Sequence, residues 1–293
     1  MSGWGEAGVL DRCEHLRGDE AWLAEQWASP TTLLLTVDEA GRVSVDFPGG
    51  AVLALTQRRP SGSFDPQQHF LLGRVEGRAV FAEAGETESM AALRDLMPVL
   101  DETGCELAVT AVALVNWHRT SPHCGRCGAL TVVTQGGLVR HCPGCGRDRF
   151  PRSDPAIIVA VLDADDRLLL GHQVVWPAGR VSILAGFVSA GESLEQAVHR
   201  EVGEESGLQL SAVRYLGSQP WPFPRSLMLG FVARSTSTDV LVDGVEIEHA
   251  RWFSRAELTV AEEAGEVLLP GWASIASRII ASWRAGSLPA PED

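Results

Sequence analysis

No lysine occurs anywhere in the 293 residues, so all 24 fixed positive side chains are arginines. Lysine-dependent phosphate loops and Schiff-base chemistry are excluded together, and any phosphate must be met by planar arginine forks. Long apolar runs are also missing. The longest, around Leu107 to Trp117, is too short to span a bilayer. The opening Met-Ser-Gly-Trp-Gly-Glu lacks the basic-then-apolar pattern of a secretory signal, so a cytoplasmic protein with no membrane partner is expected. Positive charge is scarce: the formal net charge is -14. Net charge of this sign argues against a general nucleic-acid coat, and a nucleotide substrate must be drawn in by bound cations and a few local arginines. Aromatics reach only 6%, but 45% hydrophobic residues suffice for a core and suggest roughly two domains plus a small one.

Residues from about Thr31 to Ala84 read as short strands: Thr32 to Val37, Arg42 to Val45, Phe70 to Arg74, and Ala79 to Ala82 across a Glu76-Gly77 turn. Helical spacing over Glu88 to Leu100 and Cys105 to Trp117 predicts two helices before a cysteine-rich stretch. After Pro151 an almost continuous apolar strand, Ala156 to Leu162, an aspartate-rich turn and a second strand, Arg167 to Gly171, announce a separate α/β domain. The polar segment after Gly286 reads as a frayed tail.

Ser193 with Gln196 forms a capping box, and Gly207 sits where a left-handed cap would end the helix, predicting a helix from Leu194 to Ser206. At about 100 degrees per residue, Leu194, Ala197, Val198 and Val202 share one arc, with Glu195, Gln196, His199, Gly203 and Ser206 opposite. Glu201, Glu204 and Glu205 fall inside the apolar arc. A glutamate-rich helix is ordinarily a solvated face, but these acids are on the wrong side for that. Clustered there they repel one another and lose hydration unless cations sit among them. All-oxygen ligands favour hard ions, magnesium or manganese, which points to metal-assisted hydrolysis of phosphate esters. Glu201 and Glu205 are the expected direct ligands, Glu204 another ligand or the base, and Arg200 either a phosphate contact or a salt bridge.

Cys124 and Cys127, with Cys142 and Cys145, form two tight turns spaced to close a four-thiolate zinc site. Four thiolates leave no open position, so the zinc is structural. Disulfides are the alternative, disfavoured without a secretory signal. Arg126, Arg140, Arg147 and Arg149 supply positive charge nearby, which leaves nucleic-acid binding as a second reading; stapling is favoured because no aromatic platform accompanies them. Cys13 and Cys105 read as inert core thiols.

Ser218 to Ser226 carries Pro220, Pro222 and Pro224 at alternate positions, a stiff segment that cannot be a central strand. Trp221 and Phe223 on it suit the wall of a nucleotide pocket, with Gln219, Arg225 and Ser226 as hydrogen-bonding groups. A rigid surface connection or a dimer contact fits the composition equally.

Gly186, Glu192 and the run Arg200-Glu201-Val202-Gly203-Glu204-Glu205-Ser206-Gly207-Leu208 resemble the Nudix box, departing only at Ser189, where relatives often carry an acid. With the four-cysteine ribbon before it and Ser218 to Ser226 after it, the chain resembles the NADH pyrophosphatase branch of the Nudix hydrolases from about Cys124 onward. The strands and helices read before Cys124, where the chain is only loosely similar, predict an N-terminal α+β domain (1–119) and the polar end a tail (287–293); the resemblance adds a zinc ribbon (120–150) and a Nudix α/β/α sandwich with a mixed sheet (151–286), together an α+β multidomain protein. The resemblance implies magnesium or manganese on Glu201, Glu205 and Glu246, with Glu204 another ligand and Glu248 competing with Glu246. A substrate loop over Gln219, Pro220, Trp221, Pro222, Phe223, Pro224, Arg225 and Ser226 follows from it. Phe150 and Phe187 resemble an aromatic pair stacking on a ring, with core packing the alternative; Ala276 resembles a main-chain substrate contact and Arg94 an amino-terminal arginine. The implied activity is hydrolysis of NADH or NAD to nicotinamide mononucleotide and AMP, extending to NAD caps on RNA, by a homodimer. An ADP-ribose hydrolase, or a ligand-sensing protein that kept the fold without turnover, is the alternative.

Overall fold

The computed structural model describes residues 7–46, 54–56, 58–271 and 273–292; the amino-terminal hexapeptide read for a signal lies outside them. Two compact units form: 154–221 with 226–292, and Ala7–Ser153 with Pro222–Arg225.

In the unit that begins at Ala7, α1 (Glu20–Ala28) is capped by Asp19, whose side chain accepts from Trp22 N. Strands β1 (Leu33–Val37), β2 (Arg42–Asp46), β3 (Ala54–Leu55), β4 (Phe70–Val75), β5 (Arg78–Ala84) and β6 (Met90–Ala92) follow, then α2 (Leu93–Leu96) and α3 (Glu102–Thr120). The sheet order is β3-β2-β1-β5-β4, with β6 also on β2 and β1–β5 the parallel pair. Glu76 and Gly77, both at positive φ, make the tight β4–β5 turn the sequence predicts. The helix expected over 88–100 is overturned: Met90–Ala92 instead pair with β2, and only one helical turn remains. An available sheet partner outweighs weak helical spacing here, and Pro98 blocks continuation. The ribbon strands β7 (Val132–Thr134), β8 (Val139–His141) and β9 (Asp148–Arg149) belong to the same unit. His118 of α3 ties the ribbon in: its ring stacks on Phe70, Nε2 donates to Gly137 O and Nδ1 accepts from Arg140. Burial pushes this histidine down to about 4, so it stays neutral.

The other unit carries β10 (Asp154–Leu162), β11 (Leu168–Gln173), β12 (Leu184–Phe187), α4 (Leu194–Ser206), β13 (Leu210–Trp221), β14 (Ser226–Ser235), β15 (Ile247–Phe253), α5 (Arg255–Glu263) and α6 (Ile275–Arg284). Its mixed sheet runs β13-β14-β10-β11-β15, with β12 on β10 and β10–β14 parallel. Ala197, Val198 and Val202 of α4 pack one face, and Leu258, Ile279 and Trp283 of α5 and α6 pack the other. This is the expected α/β/α sandwich. The two sheets share a topology. Each has its parallel pair at the centre, a hairpin bulged at a glycine (Gly73, Gly217), and an aspartate (Asp38, Asp163) gripping the arginine four residues on. Where the second sheet packs α4, the first packs α1 through Leu23 and Trp27, so the acidic helix has no counterpart there among the described residues.

The segment after Gly286 is not frayed. Leu288 packs on the α6 core, Arg214 donates to Ala290 O, and Glu292 pairs with Arg234 at 2.6 Å.

Trp283 is fully buried, donates Nε1 to Asp166 O, and lies under the Arg255 guanidinium. Trp283→Ala is expected to cost about 3–5 kcal/mol in denaturant-measured stability, the range for deleting a buried aromatic.

Candidate active site

Helix α4 forms over the predicted residues: the Ser193–Gln196 capping box closes in both directions and Gly207 ends the helix at φ 70. Two of the three glutamates turn inward. Glu201 and Glu205 are buried with the apolar arc, whereas the Glu204 side chain is 62% exposed. Ser206, expected on the outer face, is buried and donates to Val202 O at 2.6 Å.

Each inward carboxylate has its own setting. Glu201 lies against Gly186 on β12, where a Cβ at the glycine would overlap its carboxylate. Arg200 then fixes it at 2.8 Å. The same guanidinium grips both oxygens of Glu192 at 2.8 and 2.9 Å, donates to Phe187 O, and reaches Glu204 at 3.0 Å. Arg200 is thereby committed to organising the acids, and the salt-bridge reading holds for it. Glu205 is 2% exposed, and among the described residues neither of its oxygens has a hydrogen-bond partner. Burial first, then the charges of Glu246, Glu201, Asp243 and Glu204, push it up to about 8. Burial likewise raises Glu201.

Glu246 is presented by a turn in which Asp243 accepts from the backbone N–H groups of Val245, Glu246 and Ile247. Those bonds, Ile247's foremost, hold Asp243 below the usual carboxylate range. Glu248 faces elsewhere, 3.4 Å from His172, whose ring stacks on His249. Of the two candidates it is Glu246 whose charge acts on Glu205. Asp243 was missed in the sequence; the Asp243-Gly244 pair, a turn signal three residues ahead of Glu246, could have found it. The acids fit a hard divalent cation, because two orphaned buried oxygens beside further carboxylates lack a stabilising partner among the described residues.

The four ribbon cysteines converge, their sulfurs all within 4.8 Å of one another and none in a disulfide. Sulfur separations of 3.7 Å (Cys124–Cys145) and 3.4 Å (Cys127–Cys142) approach the roughly 3.8 Å of a tetrahedral zinc–thiolate site. The backbone N–H groups of Arg126 and Cys127 pull the Cys124 thiol down to about 6, toward the ligating thiolate. Among the described residues this is the one group of metal-binding side chains so tightly gathered.

Residues 152–270 match the NUDIX domain model, and 119–150 match the NADH pyrophosphatase zinc ribbon domain. The NAD-capped RNA hydrolase NudC of Mycobacterium tuberculosis is 42% identical over 298 residues, covering 94% of this chain and 92% of its own. The chain belongs to the Nudix hydrolase family. A second NAD-capped RNA hydrolase NudC, from Deinococcus radiodurans, is 38% identical and covers 79% of this chain and 82% of its own. The human NAD-capped RNA hydrolase NUDT12 is 38% identical across 63% of this chain and 42% of its own length.

Within this Nudix hydrolase the proline-aromatic segment divides in two. Ser218–Trp221 end β13, an edge strand, where Pro220 removes no needed donor; Pro222–Arg225 form the turn into β14. Gln219 is buried with both ends of its amide used internally: Nε2 donates to Ala273 O at 2.8 Å and Oε1 accepts from Ile275 N at 2.7 Å. It therefore pins the start of α6 beside Ala276. Arg94 lies over the Phe223 ring at 4.5 Å, a cation–π contact that steadies the turn. Phe187 and Phe150 are 60% and 62% exposed, so core packing fails as an account of either. Ala276 is itself buried in the α6 core.

Two outcomes follow from these acids. Gly186→Ala drives a methyl group into the Glu201 carboxylate and is expected to lower manganese affinity at least about tenfold while circular dichroism stays native. For Glu205, a folded-state pKa near 8 against 4.5 unfolded means that the native state binds more protons in that interval. Stability of the metal-free protein should therefore fall as pH rises from about 4.5 to about 8, by up to roughly 1.4 kcal/mol per pH unit. Denaturant titrations should show this slope in the wild type and lose it in Glu205→Gln.

Proposed function

We propose that this Nudix hydrolase cleaves the pyrophosphate of NADH and NAD, and of NAD-capped RNA, with magnesium or manganese held by Glu201, Glu205 and Glu246. The observation that carries the reading is Glu205: a carboxylate inside the Nudix box, stripped of water and of hydrogen-bond donors, beside other acids. Its relatives named as NAD-capped RNA hydrolases supply the substrate class.

A divalent cation, when bound, neutralises phosphate oxygens and acidifies water. The chain does the rest. Arg200 keeps Glu201 and Glu192 in place, and Gly186 leaves the room Glu201 needs. Glu204, exposed and bonded by Arg200, takes the proton as water adds to phosphorus and the bridging oxygen leaves on the other phosphate. Phe187, Trp221 and Phe223 offer flat faces to the nicotinamide or adenine ring, with Phe150 a further candidate. Gln219 contributes by fixing the first turn of α6, where Ala276 lies, and Pro220, Pro222 and Pro224 keep the segment stiff so that Arg225 and Ser226 reach substrate at low entropic cost. The working form is a homodimer of a cytoplasmic protein, a compartment that suits four reduced ribbon cysteines. No helix among the described residues is long and apolar enough to cross a membrane.

Incubating pure protein with NADH, ADP-ribose and NAD-capped RNA, with manganese or with a chelator, tests the reading. NADH should yield reduced nicotinamide mononucleotide and AMP only with manganese, and Glu205→Gln should lower kcat/KM at least about a hundredfold. Turnover that survives both chelator and Glu205→Gln, or a preference for ADP-ribose, contradicts it.

A further inference from the structure

The ribbon's charge is opposite to that of the chain. Residues 119–150 hold five arginines and a single acid, Asp148, in a protein of net charge -14. Two of the five are structural. Arg140 is buried on His118 and Thr131, and Arg119 donates to backbone carbonyls at Asp38 and Glu39. Asp148 is itself engaged, bonded to His141 at 2.7 Å.

Arg126, Arg147 and Arg149 remain, and all three stand on or beside the two cysteine knuckles. Arg126 lies within the first knuckle, between Cys124 and Cys127, and Arg147 follows Cys145 of the second; the two knuckles meet sulfur to sulfur at 3.4 and 3.7 Å. Arg149 crosses to the first knuckle, its guanidinium 2.6 Å from where a Cβ on Gly125 would stand. A side chain at Gly125 would displace it. Arg126 and Arg147 are exposed, and none of the three guanidiniums makes an ion pair among the described residues. Three arginines in so short a segment without a carboxylate partner among the described residues leave its positive charge uncompensated, in a chain with acids in excess. Zinc ligation requires none of them, because the four thiolates complete that site.

We infer that this arginine end of the ribbon binds the phosphodiester backbone of RNA, engaging the body of a capped transcript while free dinucleotide makes no use of it. The inference rests on the function proposed above but uses different residues. Planar guanidiniums without an ion pair among the described residues suit phosphate oxygens, and contact of this kind carries no base preference. It also resolves how so acidic a protein holds a polyanion: attraction is local, on a patch its own acids leave open.

The test compares wild type with the Arg126→Gln/Arg147→Gln/Arg149→Gln triple variant, on NADH and on NAD-capped RNA, from 50 to 200 mM salt. The variant should keep wild-type NADH turnover and bound zinc but lose NAD-capped RNA turnover at low salt. Each single-strand phosphate contact contributes about 0.7 to the logarithmic salt slope, so removing three lowers it by about 2. Raising salt across that range should then weaken the wild type on RNA by about twentyfold more than the variant. Equal losses on both substrates, or an unchanged RNA salt slope, overturn the inference. Should the triple variant lose its zinc, Arg126→Gln/Arg147→Gln carries the same test with a slope change of about 1.4. Failure of the wild type to hydrolyse NADH would refute the proposed function instead; binding of 5′-monophosphate RNA, read by fluorescence anisotropy, still reports on the ribbon independently.

Discussion

Glu205 is an ionisable group with nothing to hold its charge. It sits on the packed arc of α4, both oxygens without a donor, with Glu246, Glu201, Asp243 and Glu204 all acting to keep it protonated. Among the described residues none of the 24 arginines is hydrogen-bonded to it; Arg200, on the same helix, serves Glu192, Glu201 and Glu204. Burying an unpaired carboxylate costs several kcal/mol, more than a surface ion pair returns. Such an arrangement persists where a cation completes it, and the architecture around α4 can be understood as the means of keeping that vacancy of charge in shape.

The mixed sheet provides the means. The β10–β14 parallel pair is apolar on both faces, so α4 can dock Ala197, Val198 and Val202 on one side while α5 and α6 close the other. β12 brings Gly186, the residue without a side chain, to the place where Glu201 needs room. The Asp243 turn presents Glu246 from the start of β15. The first unit repeats the sheet order but packs Leu23 and Trp27 where α4 would be. The shared topology is therefore a scaffold, and the acidic helix is what distinguishes the catalytic unit.

How much was legible in the sequence depended on how local the cause was. The limits of α4 could be read because both are set by neighbours in the chain, the Ser193–Gln196 box and Gly207. The ribbon's four cysteines were equally plain, since two short turns fix their spacing. Burial of Glu201 and Glu205 followed from the helical wheel, but the wheel also put Glu204 inside; the edge of an apolar arc is decided by the neighbouring strands, which spacing does not contain. Long-range partners account for the other differences. Met90–Ala92 became a strand because β3 pairs only the end of β2 and leaves Arg42 to Ser44 for another strand, and the last residues were held by Arg214 and Arg234. Gln219 looked like a substrate ligand until Ala273 and Ile275, more than fifty residues away, took both ends of its amide.

Anomalous diffraction at the manganese edge, from crystals grown with the metal, tests the central claim directly. A peak is expected within about 2.0–2.6 Å of carboxylate oxygens from both Glu201 and Glu205, with Arg200 still bound to Glu192. Carboxylates that instead meet only water, with no anomalous density between them, would contradict it.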